Sequence, residues 1–302
     1  MERCDFLPVS AEEMHERGWW WYDALVVGGD AYVDHPSFGT AVISRVLEAE
    51  GLRVAVLAQP DWHDAEAFRA MGRPRLGVFI GAGNLDSMVA HYTAAKRRRS
   101  EDFYSPGKRS GCRPDRAAIV YCNRAREAFG PDMPIILGSL EASLRRFAHY
   151  DYWDDSVRRA ILFDAPADLL VYGMGEAATI EIAHRLKKKQ SVRTMTDIPG
   201  TGYITRDPSV CKFDHITLPS FEDVRDDKRL YAEATRTEYA EHDPIRGRAM
   251  IQPCEGRYLI INPPAMPLDT KELDRVAELP YTREWHPMYA VSYTHLRAHE
   301  TS

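Results

Sequence analysis

Five short runs of apolar residues alternate with segments of helical periodicity over the first two-thirds of the chain. The runs occupy residues 24–28, 53–57, 76–80, 134–138 and 168–173. Most are apolar at consecutive rather than alternate positions, which is typical of strands buried on both faces. The pattern therefore predicts an α/β fold with a mostly parallel sheet and helices on both of its faces. Each crossover between parallel strands is expected to be right-handed.

The segments between these runs carry helix signals. Apolar residues recur at nearly helical spacing within residues 37–50, and Gly51 is expected to end this helix. Further helices are predicted at residues 64–72, 116–129 and 176–188. Residues 94–114 interrupt this alternation with a basic run followed by a Ser-Pro-Gly sequence, so we predict an exposed insertion there.

The pattern changes after residue 195. Short strand-like pieces come first, then a long charged helix at residues 221–241, and then two strands within residues 248–261. A last helix is predicted at residues 269–278, with Asp269 as its N-cap. This part has too few apolar residues for a core of its own. We therefore divide the chain up to residue 290 into a first domain (residues 1–195) and an α+β connector (196–290).

Composition excludes several classes of protein. The 302 residues include 39 Lys and Arg against 45 Asp and Glu, a formal net charge of −6, which argues against a protein that coats nucleic acid. No apolar run approaches the roughly 18 residues of a membrane span, and residues 1–9 lack a secretory signal. The five cysteines have no C-x-x-C pair, so we expect reduced thiols, no zinc site and a cytoplasmic location without a membrane partner.

Candidate ligand-binding residues follow the predicted strands. Ligands of open parallel sheets bind beyond the carboxyl ends of the strands, and those positions are rich in glycine and acidic residues. Glycine lets a ligand approach the backbone, and the following helix N-termini attract anions. The alternative is that the glycines only make tight turns. The candidates are Gly28, Asp30, Asp34, His35, Gly81, Gly83, Asn84, Gly138, Glu141, Gly173, Gly175 and Glu176.

Two of these segments resemble cofactor motifs only weakly. Residues 173–178 match G-x-G-x-x-A, but on the last strand rather than the first and with no acidic residue at the expected distance. A nicotinamide enzyme is therefore not favoured. Asp34 and His35 resemble a cobalamin-ligating loop, but their spacing departs from D-x-H-x-x-G. A helix-capping or hydrogen-bonded histidine is the preferred interpretation.

Residues 141–155 are dense in aromatic and charged side chains. Tyr, Trp and Arg dominate binding interfaces, so a substrate or domain interface is one interpretation. Stacking on nucleic acid and a purely structural helix and loop are the others. The basic run at residues 96–99 is interpreted as a solvated face, with contact to phosphate or RNA as the minor alternative. The candidate interface residues are Arg145, Arg146, His149, Tyr150, Tyr152 and Trp153. No catalytic residue or triad can be assigned from sequence order.

Longer strings carry a resemblance to a known family. They are residues 29–39 (GDAYVDHPSFG), 58–62 (AQPDW), 141–155 (EASLRRFAHYDYWDD), 172–176 (YGMGE) and 262–267 (NPPAMP). Together they closely resemble the N-terminal region of the YgiQ-type radical SAM proteins of bacteria, from about residue 6 to residue 289.

The resemblance implies a Rossmann-like first domain, similar to cobalamin-binding domains, followed by a radical SAM barrel. In that barrel a C-x-x-x-C-x-x-C motif would hold a [4Fe-4S] cluster through three thiolates. The open iron would bind S-adenosylmethionine, and electron transfer would give a 5′-deoxyadenosyl radical. The full-length parent is therefore expected to be an enzyme with these two cofactors.

This chain contains no C-x-x-x-C-x-x-C motif. We accordingly expect no metal ligands in it and no activity from it alone. Its main partner would be the missing C-terminal radical SAM domain, and its substrate, small or macromolecular, stays unidentified. Residues 291–302 depart abruptly from the family and resemble a translated sequencing adapter, so a truncated chain with a non-native tail is expected.

Two alternatives remain open. The chain could be a stand-alone module that binds a cobalamin-like or nucleotide ligand at the strand ends without catalysis. Cobalamin binding is left undecided on the sequence alone. An RNA-associated role through the basic run and Arg145 and Arg146 ranks last, and nucleic acid is not an expected partner.

Overall fold

The computed structural model describes residues 5–290, and the expected tail at residues 291–302 lies outside the described residues. Within this range the chain forms eleven strands and ten α-helices. The strands are β1 (Ala24–Gly28), β2 (Val54–Ala58), β3 (Gly77–Ile80), β4 (Ile135–Leu137), β5 (His149–Asp151), β6 (Ser156–Arg158), β7 (Leu169–Val171), β8 (Thr201–Thr205), β9 (His215–Thr217), β10 (Ala249–Cys254) and β11 (Arg257–Ile261). The helices are α1 (Ala11–Glu16), α2 (Gly39–Ala49), α3 (Glu66–Arg69), α4 (Ser87–His91), α5 (Ala117–Phe129), α6 (Ser139–Leu144), α7 (Glu176–Lys187), α8 (Phe221–Asp226), α9 (Lys228–Ala240) and α10 (Thr270–Ala277).

Nine of the strands form one sheet in the order β2-β1-β3-β4-β7-β8-β11-β10-β9. The first five are parallel, and β1 lies between β2 and β3, with Ala24 opposite both Val54 and Gly77. This order reverses direction between β1 and β3, and ligands of doubly wound sheets bind outside the carboxyl ends at such a point. The predicted α/β class, a mostly parallel sheet with helices, is confirmed.

The parallel strands are buried on both faces. In β1, Leu25 and Val27 belong to a core shared with α3 and α5, whereas Ala24 and Val26 belong to a core shared with α2 and α7. Because both neighbouring layers are apolar, each strand position needs an apolar side chain. This explains the continuous runs in the sequence.

The segment after residue 195 continues the same sheet. Strand β8 pairs antiparallel with β7, with Leu170 opposite Gly202, and β11, β10 and β9 follow outward. The two strands expected within residues 248–261 form a hairpin that turns at Glu255 and Gly256, both with positive φ. The sheet is thus continuous across the boundary that we placed at residue 195.

Two predicted elements differ from the structure. The long helix expected at residues 221–241 is two helices, because Asp227 has an extended backbone (φ −127°, ψ 113°) and its side chain caps α9 by accepting from the Arg229 N–H at 2.7 Å. The insertion at residues 94–114 is not wholly exposed. Its Arg113 and Asp102 are almost fully buried and form an ion pair at 2.9 Å.

No helix in the described range is long and apolar enough to cross a membrane.

Candidate functional site

A cavity of about 330 Å³ lies at the carboxyl ends of the parallel strands, between α2 and α7. One face of the sheet forms its floor, with Val26 of β1, Phe79 of β3, Ile136 of β4 and Val171 of β7. The first three of these are consecutive partners in the strand register. The cavity therefore sits at the point where the strand order reverses, and its volume is at the lower end of the range for small-molecule sites.

Glycines form much of the rim. At Gly138 the backbone is extended (φ −139°), and an added Cβ would meet nothing closer than the Val171 carbonyl oxygen at 3.8 Å, so this position opens towards free space. At Gly83 the backbone has φ +105°, and an added Cβ would lie 2.2 Å from Asp30 Oδ1. Gly83 is thus required by backbone conformation and by close packing, whereas Gly138 leaves room for a ligand.

Half of the predicted strand-end residues line the cavity. They are Gly81, Gly83, Gly138, Gly173, Gly175 and Glu176. The other six lie around it and make contacts within the protein. They are Gly28, Asp30, Asp34, His35, Asn84 and Glu141.

Among the described residues that line the cavity, Glu176 is the only charged one. It is the first residue of α7, and its Oε2 atom is buried without a hydrogen-bond partner among the described residues. Within residues 5–290, no arginine or lysine lines the cavity. A pocket with an apolar floor and a single carboxylate favours an uncharged ligand that donates hydrogen bonds, and disfavours a phosphate.

Asp30 follows β1 but is part of a buried ion network. Its Oδ1 lies 2.9 Å from the Arg113 guanidinium, and its Oδ2 accepts from the Asn84 N–H at 2.6 Å. Burial raises the pKa of Asp30 to about 6, although Arg113 opposes the shift. Gly28 serves a similar packing role, because an added Cβ would lie 2.4 Å from Thr40 Oγ1 on α2.

Asp34 and His35 are not arranged as a cobalt-ligating pair. Asp34 forms a buried ion pair with Arg45, and its Oδ2 accepts from the Thr282 N–H at 2.9 Å. His35 Nδ1 accepts from the Ser37 N–H at 3.1 Å, and burial lowers the pKa of His35. Nδ1 is thus engaged with the Ser37 N–H, and Asp34 is paired with Arg45 and does not orient the ring.

Glu141 and Asn84 hold loops together. Glu141 is buried and accepts from the N–H groups of Ser87, at 2.9 Å, and Ala118, at 3.0 Å, so it caps the starts of α4 and α5. Burial and the neighbouring Asp86 raise the pKa of Glu141. Asn84 accepts from the Gly39 N–H at 3.2 Å and donates to the Ser37 carbonyl oxygen at 2.8 Å, which fixes the loop at the start of α2.

The candidate interface residues do not form one surface but make separate contacts in different parts of the structure. Arg145 is ion-paired with Asp86. His149 Nδ1 lies 3.0 Å from the Phe147 carbonyl oxygen, and burial lowers the pKa of His149.

The aromatic residues of that segment lie against the insertion or on the surface. The Tyr152 hydroxyl donates to the Ala94 carbonyl oxygen at 2.6 Å, and the Trp153 ring centroid lies 5.2 Å from that of Tyr92. Tyr150 is exposed and its hydroxyl donates to Asp155 Oδ1 at 2.5 Å.

Sequence reasoning missed the walls of the cavity. Thr40 and Ile43 from α2 and Thr179 from α7 line it. The signal available was the spacing of positions 40 and 43 on one helix face, but that spacing also fits ordinary core packing. His242 and Glu238, which lie near Arg146, were likewise not identified.

The described cysteines do not fit an iron–sulfur site. Within residues 5–290 no group of three or more His, Cys, Asp or Glu side chains could hold a metal ion. Cys122 and Cys254 are buried, and burial raises the pKa of both thiols, that of Cys254 to about 12. These two thiols lie in different core clusters, so they do not come together as ligands of one cluster, which needs three thiolates.

Comparisons with known proteins show which family the chain resembles. The family model for the radical SAM N-terminal region matches residues 6–301. UPF0313 proteins of Clostridium botulinum (strain 657 / Type Ba4) and Clostridium perfringens (strain SM101 / Type A) are 53% and 52% identical to this chain over 289 residues. These alignments cover 96% of the chain but only 45% and 44% of the relatives, so the chain spans less than half of their length.

Among solved structures, one with some similarity is the radical S-adenosylmethionine methyltransferase TsrM from Kitasatospora setae with cobalamin and a [4Fe-4S] cluster bound. Its TM-score is 0.38 and its sequence identity 18%, over 60% of this chain and 26% of that chain. The family match and the UPF0313 relatives, which are the YgiQ family, confirm the resemblance in the sequence. The chain belongs to the radical SAM N-terminal family.

Proposed function

We propose that this chain is the N-terminal part of a radical SAM enzyme whose [4Fe-4S] cluster and S-adenosylmethionine site lie in the region of the relatives that it does not cover. The main support for the proposal is the family match over residues 6–301. The relatives that the chain matches are more than twice as long as the chain. The lack of fit between the described cysteines and a cluster also supports the proposal. When bound, the cluster would supply the electron that cleaves S-adenosylmethionine. The missing C-terminal domain is the proposed partner, and the cytoplasm the proposed location.

Iron and sulfide analysis after anaerobic reconstitution tests this proposal. We expect no stoichiometric cluster on the 302-residue chain and one cluster on the full-length Clostridium botulinum relative treated in parallel. A stoichiometric cluster on the short chain would overturn the assignment of the cluster to the other region. Absence of a cluster from both proteins would overturn the assignment to radical SAM chemistry.

A second proposed role, carried by the cavity, is binding of a small ligand at the strand ends. The cavity is the size of a nucleoside rather than of a whole corrin ring, and no basic side chain of the described residues lines it to pair with a phosphate. Asp34 and His35 do not fit a cobalt-binding role, so any cobalamin-like ligand would have to bind without them. A nucleoside, or the heterocyclic end of a larger cofactor, has the chemistry that the cavity favours.

Titration with adenosine and, separately, with hydroxocobalamin tests this second role. Gly138→Trp is tolerated by the extended backbone and fills the cavity, so saturable binding should be lost. Leu140→Trp is the matched control, because Leu140 is exposed on α6 and does not line the cavity. Binding that survives Gly138→Trp, or saturable binding of neither compound, would contradict a ligand role for the cavity.

A further inference from the structure

Arg146 lies against Tyr172, the residue that directly follows β7. Its guanidinium carbon is 5.0 Å from the ring centroid of Tyr172, which directly precedes the rim residue Gly173. One terminal nitrogen donates to the Ser143 carbonyl oxygen at 2.6 Å, and the other lies 3.1 Å from His242 Nδ1 on the exposed side. The Nε atom is buried without a partner among residues 5–290.

This guanidinium lacks a counter-ion, unlike the other strongly buried arginines. Arg45 pairs with Asp34, Arg113 with Asp30, and Arg145, its neighbour in sequence, with Asp86. Arg146 forms no ion pair within the described residues.

Glu238, which interacts electrostatically with Arg146, does not act as its counter-ion. Glu238 of α9 accepts no hydrogen bond in the described part of the chain, and burial raises the pKa of Glu238 to about 7 although Arg146 opposes the shift. A desolvated cation without a partner is costly.

We propose that Arg146, with Tyr172 behind it and His242 beside it, binds the carboxylate of a small molecule. The guanidinium provides the charge, and each terminal nitrogen keeps one N–H group beyond its contact with Ser143 or His242, so the pair can match the two oxygens of a carboxylate. The Tyr172 ring holds the plane of that group. Since the site offers a single cation and a carboxyl group nearby, it suits a monoanion and disfavours a phosphate dianion. This site is separate from the apolar cavity and does not depend on the function proposed above.

The proposal predicts a specific pH dependence. The titratable groups that face Arg146 are Glu238 of α9, His242, which follows that helix, and Tyr172, which follows β7. Burial lowers the pKa of His242 and raises that of Tyr172, so both shifts move away from neutral pH. Glu238 is the one of these three groups whose pKa moves towards neutral pH. When it ionises it neutralises Arg146 and repels an incoming carboxylate, so affinity should fall as pH rises through about 7.

Ligand-observed NMR titration of the 302-residue chain with benzoate, at constant ionic strength, tests the proposal. We expect saturable binding that weakens about tenfold or more in Arg146→Gln. Arg257→Gln is the matched control, because Arg257 also lies over a ring, that of Phe163 at 4.8 Å, without an ion pair in the described range. Glu238→Gln should remove the loss of affinity between about pH 6 and about pH 8. Circular dichroism of each variant checks that it folds.

Each outcome of the titration either supports or overturns the proposed carboxylate site at Arg146. Binding lost in Arg146→Gln, partly kept in Arg146→Lys and unchanged in Arg257→Gln supports the site. Binding of inorganic phosphate as tight as that of benzoate would overturn the carboxylate assignment. Equal benzoate binding by wild type and Arg146→Gln, or no saturable binding of benzoate, would overturn the site itself.

Discussion

The Arg113 guanidinium contacts the Asp30 carboxylate at 2.9 Å, and both side chains are almost entirely buried. Arg113 also contacts Asp102 at 2.9 Å, and it donates to the Ala82 carbonyl oxygen at 3.2 Å. One side chain thus ties the loop after β1, the loop after β3 and the insertion together. This network holds the cavity rim at Gly83 in place, because Asp30 packs against that glycine.

Loss of this arginine should destabilise the fold strongly. Arg113→Met leaves Asp30 and Asp102 buried without a cation, and breaking a buried ion pair in this way typically costs about 3–5 kcal/mol of unfolding free energy. Arg69→Met is the control, because the Arg69–Glu66 pair is exposed and should change stability by less than about 1 kcal/mol. Urea denaturation followed by circular dichroism measures both. Similar effects for the two variants would show that the buried network does not hold the fold.

Two consecutive arginines should respond in opposite directions to the same substitution. Arg145→Met leaves Asp86 without its cation and should lower the unfolding free energy by about 2–4 kcal/mol. Arg146→Met removes a desolvated charge that has no ion pair, so it should leave stability unchanged or raise it by about 1 kcal/mol. Thermal and urea unfolding of both variants provide the comparison. A loss for Arg146→Met as large as that for Arg145→Met would mean that Arg146 is a structural residue.

The sheet could be predicted from the sequence because its strands are buried on both faces. Runs such as Ala24–Gly28 are apolar at consecutive positions, and this signal is local. The break at Asp227 has a local signal as well, since aspartate is a common N-cap, but the charged positions on both sides conceal it.

The sequence located only part of the residues that line the cavity. Contacts between segments that are distant in sequence decide the role of each candidate residue. Glu141 and Glu176 both follow a strand and a glycine-containing turn, yet Glu141 caps α4 and α5 whereas Glu176 lines the cavity. The difference comes from which loop covers each side chain. Arg113 lies in a basic insertion that looks solvated, and its buried partner Asp30 is distant in sequence. Periodicity carries no information about such pairings.

Glu238 should make stability depend on pH near neutrality. Burial raises the pKa of its carboxyl group from 4.5 to about 7, so the folded state holds a proton that the unfolded state releases. Its contribution to stability is therefore full below about pH 4.5 and is lost as pH rises to about 7. As pH rises from about 4.5 to about 7, the free energy of unfolding of Glu238→Gln should increase relative to that of wild type by on the order of 1–2 kcal/mol, after allowance for solvent screening. Urea denaturation at several pH values measures the difference, and a difference that does not vary with pH would contradict the shift.

Two glycines of the cavity rim should differ sharply in their tolerance of alanine. Gly83→Ala places a Cβ 2.2 Å from Asp30 Oδ1 at a backbone φ of +105°, so it strains the chain and displaces the Asp30–Arg113 pair. We expect a loss of about 3 kcal/mol or more of unfolding free energy. Gly138→Ala meets only the Val171 carbonyl oxygen at 3.8 Å with extended backbone, so its effect should stay within about 1 kcal/mol. Parallel urea denaturation of the two variants tests the contrast. A well-tolerated Gly83→Ala would mean that the rim is held by other contacts than the buried ion network.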